Sequence, residues 1–184
     1  MKVDIYNTDK KYNIIYADPP WNYNDKRDKH PRLCGGASVH YSTMNLDDIK
    51  NLPVASVCAD NAMLFLWVTF PQLHEGLEVI KAWGFKYKTL GFSWIKTNKK
   101  NGKPFFGIGW YTKSNCEVCL IGVKGRPFKV SNNISSVLIE PRAEHSKKPD
   151  EARSRIVEFA GDVPRLELFA RQHAEGWDCW GNEV

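Results

Sequence analysis

Tyr12-Asn13-Ile14-Ile15-Tyr16-Ala17-Asp18-Pro19-Pro20-Trp21 is the stretch on which the fold turns. Its first six residues are a short apolar run rich in β-favouring side chains, and the run stops at a double proline. That pattern predicts a buried strand ending in a stiff turn. A long polar, glycine-containing stretch follows from Asn22 to about His40, a length that inside a compact domain marks a functional or mobile segment. Asn45 is placed to cap a short helix starting at Leu46. Ala62-Met63-Leu64-Phe65-Leu66-Trp67-Val68 predicts a second buried strand. Pro71 stands where a helix would begin, Leu73, Leu77 and Ile80 recur at helical spacing, and Gly84 closes that helix.

Further strands are expected over Lys86 to Lys96 and Glu117 to Val123, separated by a Lys-, Gly- and aromatic-rich loop from Thr97 to Lys113. Pro149 opens a helix with Ala152, Ile156, Phe159 and Ala160 on one face. Gly161-Asp162 is a turn signal, and Leu166-Glu167-Leu168-Phe169 a last strand. Strands alternating with helices imply an α/β sheet covered on both faces. With no repeat and no linker composition, residues 1–184 read as one domain.

Composition narrows the class. The chain of 184 residues is 42% hydrophobic and 26% charged, which excludes a disordered chain. No apolar run approaches the roughly 20 residues that span a bilayer, and the first residues lack a signal-peptide core. A cytoplasmic protein without membrane contact is expected. The formal charge of +5 suits a polyanionic partner without requiring one. The excess gathers in Lys26-Arg27-Asp28-Lys29-His30-Pro31-Arg32, in Lys96 to Lys103, and in Arg142 with Lys147-Lys148. Five scattered cysteines, Cys34, Cys58, Cys116, Cys119 and Cys179, do not make a disulfide framework. Cys116-Glu117-Val118-Cys119 lacks a second pair, so ordinary buried thiols and no metal site are expected.

In an open α/β sheet, ligands bind beyond the carboxyl ends of the strands, where Asp18 falls. The prolines fix the backbone and offer no donors, so their carbonyls are expected to point outward unpaired. Trp21 adds a flat apolar face. An acid, a rigid row of acceptors and an aromatic plane suit a planar base carrying an amino group. Such an amine is a poor nucleophile, because its lone pair is delocalised into the ring. Two acceptors on its hydrogens favour a pyramidal nitrogen that can attack, so catalysis reduces to positioning and electrostatics.

Seven ordered blocks carry a resemblance. They are Ala17-Asp18-Pro19-Pro20-Trp21, Tyr41-Ser42-Thr43-Met44, Leu64 to Val68, Trp94-Ile95-Lys96-Thr97, Glu117 to Gly125, His145 to Glu151, and Leu166 to Arg171 with Gly181-Asn182. From about Tyr12 to Asn182 the chain resembles the adenine-N6 methyltransferases that include the catalytic subunit of the messenger-RNA adenosine methyltransferase and compact bacterial and phage DNA enzymes. The resemblance implies a Rossmann-like S-adenosylmethionine-dependent methyltransferase fold in circularly permuted order, with the catalytic motif before the cofactor strand. It implies methyl transfer from S-adenosylmethionine to the N6 amino group of adenine, in DNA by preference and in RNA as the alternative. Amino-methylation of cytosine uses a similar motif, but the other blocks favour adenine.

The resemblance also implies roles. Asp18, Pro19, Pro20 and Trp21 would form the catalytic motif, with Trp21 stacked on a base taken out of its helix. Lys148 would hold the cofactor's carboxylate and Asp18 would accept from its amino group. Glu167 would lie near the cofactor and pair with Lys148. Arg171 and His173 would contact the ribose, Asn182 and Glu183 the adenine and ribose. Relatives often carry Asn where Ala174 stands and an amide where Glu183 stands, so those contacts differ here. Asp4-Ile5 aligns too loosely for a role. Tyr41 and the loop before it would close over the base, with Gly35-Gly36 giving hinge freedom. Lys26, Arg27, Lys99, Lys100 and Lys103 would grip phosphates. The competing class is a non-catalytic subunit that binds nucleic acid beside an active copy. Retention of Asp18, Lys148, Arg171 and Asn182 speaks against it. Pairing as a homodimer or heterodimer is compatible with either.

Overall fold

The computed structural model describes residues 1–22, 43–109, 111–127, 129–143 and 147–184. Strand β1 (Tyr12–Ala17) leads to short helices α1 (Leu46–Lys50) and α2 (Val54–Val57), and then to β2 (Cys58–Val68). A 3₁₀ turn over Phe70–Gln72 enters α3 (Leu73–Ala82), followed by β3 (Lys86–Thr97), β4 (Glu117–Lys124) and β5 (Val137–Pro141). Helix α4 (Asp150–Ala160), β6 (Arg165–Leu168) and β7 (Asp178–Trp180) complete the order. All seven strands join one sheet in the order β5-β3-β4-β2-β1-β6-β7. β1 pairs in parallel with both β2 and β6, and β4 runs antiparallel between β2 and β3. No described helix is long and apolar enough to cross a membrane.

Successive side chains of a strand face opposite ways, so a strand buried on both faces is apolar throughout. In β1, Ile15 and Ala17 join one core with Leu64 and Leu66, covered by Ile49 of α1, Val54 of α2, and Val79 and Ile80 of α3. Ile14 and Tyr16 join the other with Phe65 and Trp67, covered by Ala152, Ile156 and Ala160 of α4. Helices therefore flank both faces, as the alternation of patterns predicts.

Local signals act where expected. The Asn45 side chain accepts from Asp48 N at 2.8 Å and caps α1. Gly84, at φ 82°, ends α3 in a Schellman arrangement, with Gly84 N donating to Lys81 O and Phe85 N to Ile80 O, each at 3.0 Å. The buried stripe of α3 differs from expectation. Gly76, Val79 and Ile80 face the sheet and Leu77 is exposed, because the helix turns Leu77 about 100° per residue away from its neighbours' face. Helix α2 and strands β5 and β7 are elements that the sequence patterns do not announce.

One consequence of the topology positions the site. The chain leaves β1 toward β2 on one side, while β6 lies on the other, with Tyr16 opposite Glu167 and Ala17 opposite Leu168. The carboxyl ends of β1 and β6 thus flank a crevice at a topological switch point, where open α/β sheets bind ligands. Just past β6, Phe169 adopts φ 60°, a left-handed conformation uncommon for a bulky side chain. Its ring lies 5.5 Å from Trp180, edge to face, and Ala170 N donates to Trp180 O at 3.0 Å.

Candidate active site

A cleft at this crevice is lined by Asp18, Pro19, Pro20, Trp67, Lys148 and Arg171, among others. Asp18 is the first residue after β1, and Lys148 enters from the segment before α4. The Lys148 ammonium donates to both oxygens of Asp18, at 2.8 and 2.7 Å, and sits 3.2 Å from a Glu117 oxygen. Lys96 meets the other Glu117 oxygen at 2.5 Å. Four charges of alternating sign, Lys96, Glu117, Lys148 and Asp18, therefore run from the ends of β3 and β4 to the end of β1.

Burial and neighbours act against each other along this row. Burial pushes the Asp18 carboxyl up, opposed by Lys148 and Arg171. Burial would raise Glu117 as well, but Lys148 and Lys96 hold its carboxyl below the ordinary value. Burial works against the Lys148 cation, and Asp18 and Glu117 together outweigh it, so the ammonium stays charged.

The proline carbonyls depart from expectation. Pro19 O accepts from Trp21 N at 2.8 Å and Pro20 O from Met44 N at 2.9 Å. Proline removes its own donor, yet its carbonyl remains available to amides two residues on or on a neighbouring segment. Each oxygen keeps a second lone pair. Trp21 lines the cleft but is 5% exposed, and its Nε1 donates to Trp67 O at 3.1 Å. Most of the ring belongs to the core under the site.

Glu167 does not pair with Lys148. It faces α4, where the Arg153 guanidinium takes both of its oxygens at 2.7 Å. Arg153 lies in the first turn of α4, five residues beyond Lys148 and above β6, while Lys148 is drawn to the end of β1. Arg171 lies in the cleft, and its Nε stands 3.6 Å from Glu183. Asn182 is exposed just after β7. His173 lines a separate groove along α4 with Asp150 and Arg153, its Nδ1 3.1 Å from Cys179 Sγ. Asp4-Ile5 gains a place: Val3 N donates to Cys179 O at 2.9 Å, and the Tyr6 ring lies 6.5 Å from Trp180, so this segment runs beside β7.

Lys99, Lys100 and Lys103 are exposed on the turn that closes after β3, where Asn98 N donates to Lys103 O at 2.9 Å. Tyr41, Lys26, Arg27, Gly35-Gly36 and the His145-Ser146 part of its block lie outside the described residues. Glu117, Lys96 and Arg153 are site residues to which the sequence alone assigns no role. An acid opening the apolar run Val118–Val123 is the available signal for the first.

This sheet, with its antiparallel β4 and its charged crevice at the ends of β1 and β6, is that of an S-adenosylmethionine-dependent methyltransferase. The family model MT-A70 matches residues 12–183, and the chain belongs to that family. It is 34% identical to the type II methyltransferase M.MunI of Mycoplasma sp over 95% of this chain and 78% of that protein. It is 34% identical to an N(6)-adenosine-methyltransferase MT-A70-like protein of Arabidopsis thaliana over all of this chain and 25% of that protein. It is 30% identical to the human N(6)-adenosine-methyltransferase catalytic subunit METTL3 over 95% of this chain and 28% of that protein. The chain thus spans most of the Mycoplasma protein and about a quarter of the other two.

Proposed function

We propose that the protein transfers a methyl group from S-adenosylmethionine to the exocyclic N6 amino group of adenine in DNA. One observation carries the reading: Asp18 stands at the carboxyl end of β1, beside two prolines, and is held by the buried Lys148 ammonium. The donor set fits the cofactor. Its amino-acid end carries one carboxylate and one ammonium, the charges complementary to Lys148 and Asp18. Arg171, Asn182 and Glu183 are assigned to its ribose and adenine. When bound, the cofactor supplies an electrophilic methyl group that needs no further activation.

The chain's own residues then act on the acceptor. The Asp18 carboxylate accepts one hydrogen of the adenine amine, and the remaining lone pair of a proline carbonyl accepts the other. Both stabilise the positive charge that builds on the nitrogen. Asp18 is carried on the end of β1 and stiffened by the prolines after it, so little reorganisation is needed at the moment of reaction, while Glu117 keeps Lys148 beside the site. Trp21 stiffens the floor of the cleft and offers an edge of its ring to the base. Exposed Lys99, Lys100 and Lys103 face the phosphates, and the resemblance assigns Lys26, Arg27 and Tyr41 to the acceptor as well. Glu167 supports the cofactor strand through Arg153.

DNA is favoured because the relative named a type II methyltransferase matches over 78% of its length, in keeping with the resemblance to compact bacterial and phage DNA enzymes. A cytoplasmic site of action and pairing with a second subunit belong to the same reading. The test incubates pure protein with labelled cofactor and adenine-containing DNA or RNA oligonucleotides, then identifies the methylated nucleoside by mass spectrometry. N6-methyladenine in DNA is the expected product. Methylation confined to RNA would move the substrate, and methylcytosine would remove adenine from the reading.

A further inference from the structure

The segment from 98 to 116 carries Lys99, Lys100, Lys103 and Lys113 and no acidic residue. It also holds large apolar side chains in water: Phe106 is 62% exposed, Ile108 87%, and Tyr111 fully. These are not side chains that failed to find a core, because the segment has a built base. Asn115 clamps it, its Oδ1 accepting from Lys96 N at 3.1 Å and its Nδ2 donating to Lys96 O at 3.0 Å and to Phe105 O. Phe105 N donates to Lys96 O at 2.8 Å, and Gly107 N to Ser114 O at 2.6 Å. The Arg142 guanidinium lies 3.5 Å from the Phe105 ring centroid. At Gly109 a Cβ would collide with the Thr112 carbonyl oxygen, so the backbone there doubles back too tightly for a side chain. The result is a hairpin with a fixed base that holds Phe106 and Tyr111 outward among lysines.

Its position is set by the sheet. β3 runs in the same direction as β1, so the hairpin rises from the carboxyl edge that bears Asp18. Lys96, at its root, is the outer end of the charge row that reaches the catalytic carboxylate.

We propose that residues 98–109 and 111–116 form a stacking platform for a single nucleic-acid strand, in which Phe106 and Tyr111 receive unpaired bases while the lysines face the phosphates. The proposal rests on the reading that the substrate is nucleic acid, and it narrows that substrate to a strand that is unpaired where it meets the enzyme. Positive charge matches the polyanion, and exposed rings match bases, each of which has a π-face whatever its identity. Paired bases in a duplex offer no such face, so the platform favours single strands or locally opened ones.

The test is fluorescence anisotropy over a salt series, using the full chain with labelled oligo-dT, which has no adenine, and a duplex of equal length. Phe106→Ala with Tyr111→Ala should weaken oligo-dT binding by at least about 5-fold per ring, the lower limit of base–aromatic stacking, with the salt slope unchanged and the duplex far less affected. Replacing Lys99, Lys100 and Lys103 with Gln should instead flatten the slope by about 2, at roughly 0.7 per phosphate contact on a single strand. Phe106→Tyr with Tyr111→Phe keeps both rings and should bind as wild type. Oligo-dT binding untouched by loss of the rings would overturn the platform. So would wild-type self-association in sedimentation velocity that the alanine pair abolishes without altering DNA binding, which would make the hairpin a contact between copies. Ring-dependent oligo-dT binding without methylated adenine on any substrate would refute the enzymatic reading and leave the platform standing.

Discussion

Two carboxylates stand on neighbouring strands at the carboxyl edge of the sheet, and each is met by a cation from the α4 segment. Asp18 takes Lys148, and Glu167 takes Arg153. The Asp18 side chain is 23% exposed and opens on the cleft, whereas that of Glu167 is 9% exposed beneath α4. Lysine is a compact point charge on a flexible stem and can be shared or redirected; arginine is a planar fork that matches one carboxylate in two places. The first pair can therefore exchange partners with a zwitterionic ligand, and the second cannot without losing both bonds. Arrangements that look alike by charge thus divide into a working pair and a structural clamp.

That division breaks first at the clamp. Arg153→Leu leaves Glu167 as an uncompensated buried charge and should cost about 3–5 kcal/mol of folding stability, read by urea unfolding. An undiminished midpoint would put Glu167 back among the exchangeable groups. Asp18→Asn should leave stability nearly intact and lower methyl transfer about 10²–10³-fold, as loss of an electrostatic stabiliser does; near-wild-type turnover by a folded variant would make Asp18 a turn residue. Lys148→Ala should weaken S-adenosylmethionine binding by about 2–5 kcal/mol, measured by calorimetry, and an unchanged dissociation constant would remove Lys148 from the ligand's path.

The smallest effect concerns pH. Glu117 is held below its ordinary value of 4.5, so its contribution to stability is complete above that value and is lost as pH falls through its lower folded-state value. Glu117→Gln deletes this dependence. Its stability should fall less steeply with acid below pH 4.5 than that of the wild type, and parallel acid limbs would show that Glu117 titrates as an ordinary surface acid.

The same comparison marks what was legible in the residues. Asp18 is legible because it stands between the end of a strand pattern and two prolines, which puts an acid at a sheet edge by local signals alone. Lys148 was assigned to the cofactor by resemblance, and the structure adds that Asp18 and Glu117 hold it. The partner of Glu167 was misread because Lys148 and Arg153 are five residues apart, and only the docked orientation of α4 decides which of them stands over β6. Phe169 gave no hint of its left-handed backbone, since the contacts that surround it there, the Trp180 ring and the Trp180 carbonyl that accepts from Ala170 N, are tertiary. β7, three residues long, is too short for any periodicity to register, and β5 carries exposed Val137 and Ile139, as an edge strand does. Helix caps and glycine stops, whose causes lie within a few residues, were read where they occur.

Adjacency of β1 and β6 has a consequence for how the molecule comes into being. Ile14 faces Arg165 across the ladder, about 150 residues away along the chain. At the usual 5–20 residues per second of synthesis, β1 waits roughly 8–30 s for that neighbour to be made. Until then its ladder groups on that side have no strand to pair with, and the crevice beside Asp18 has one wall. The second wall is added only once residues 165–168 have been made, so the crevice beside Asp18 is completed long after the strand that carries it.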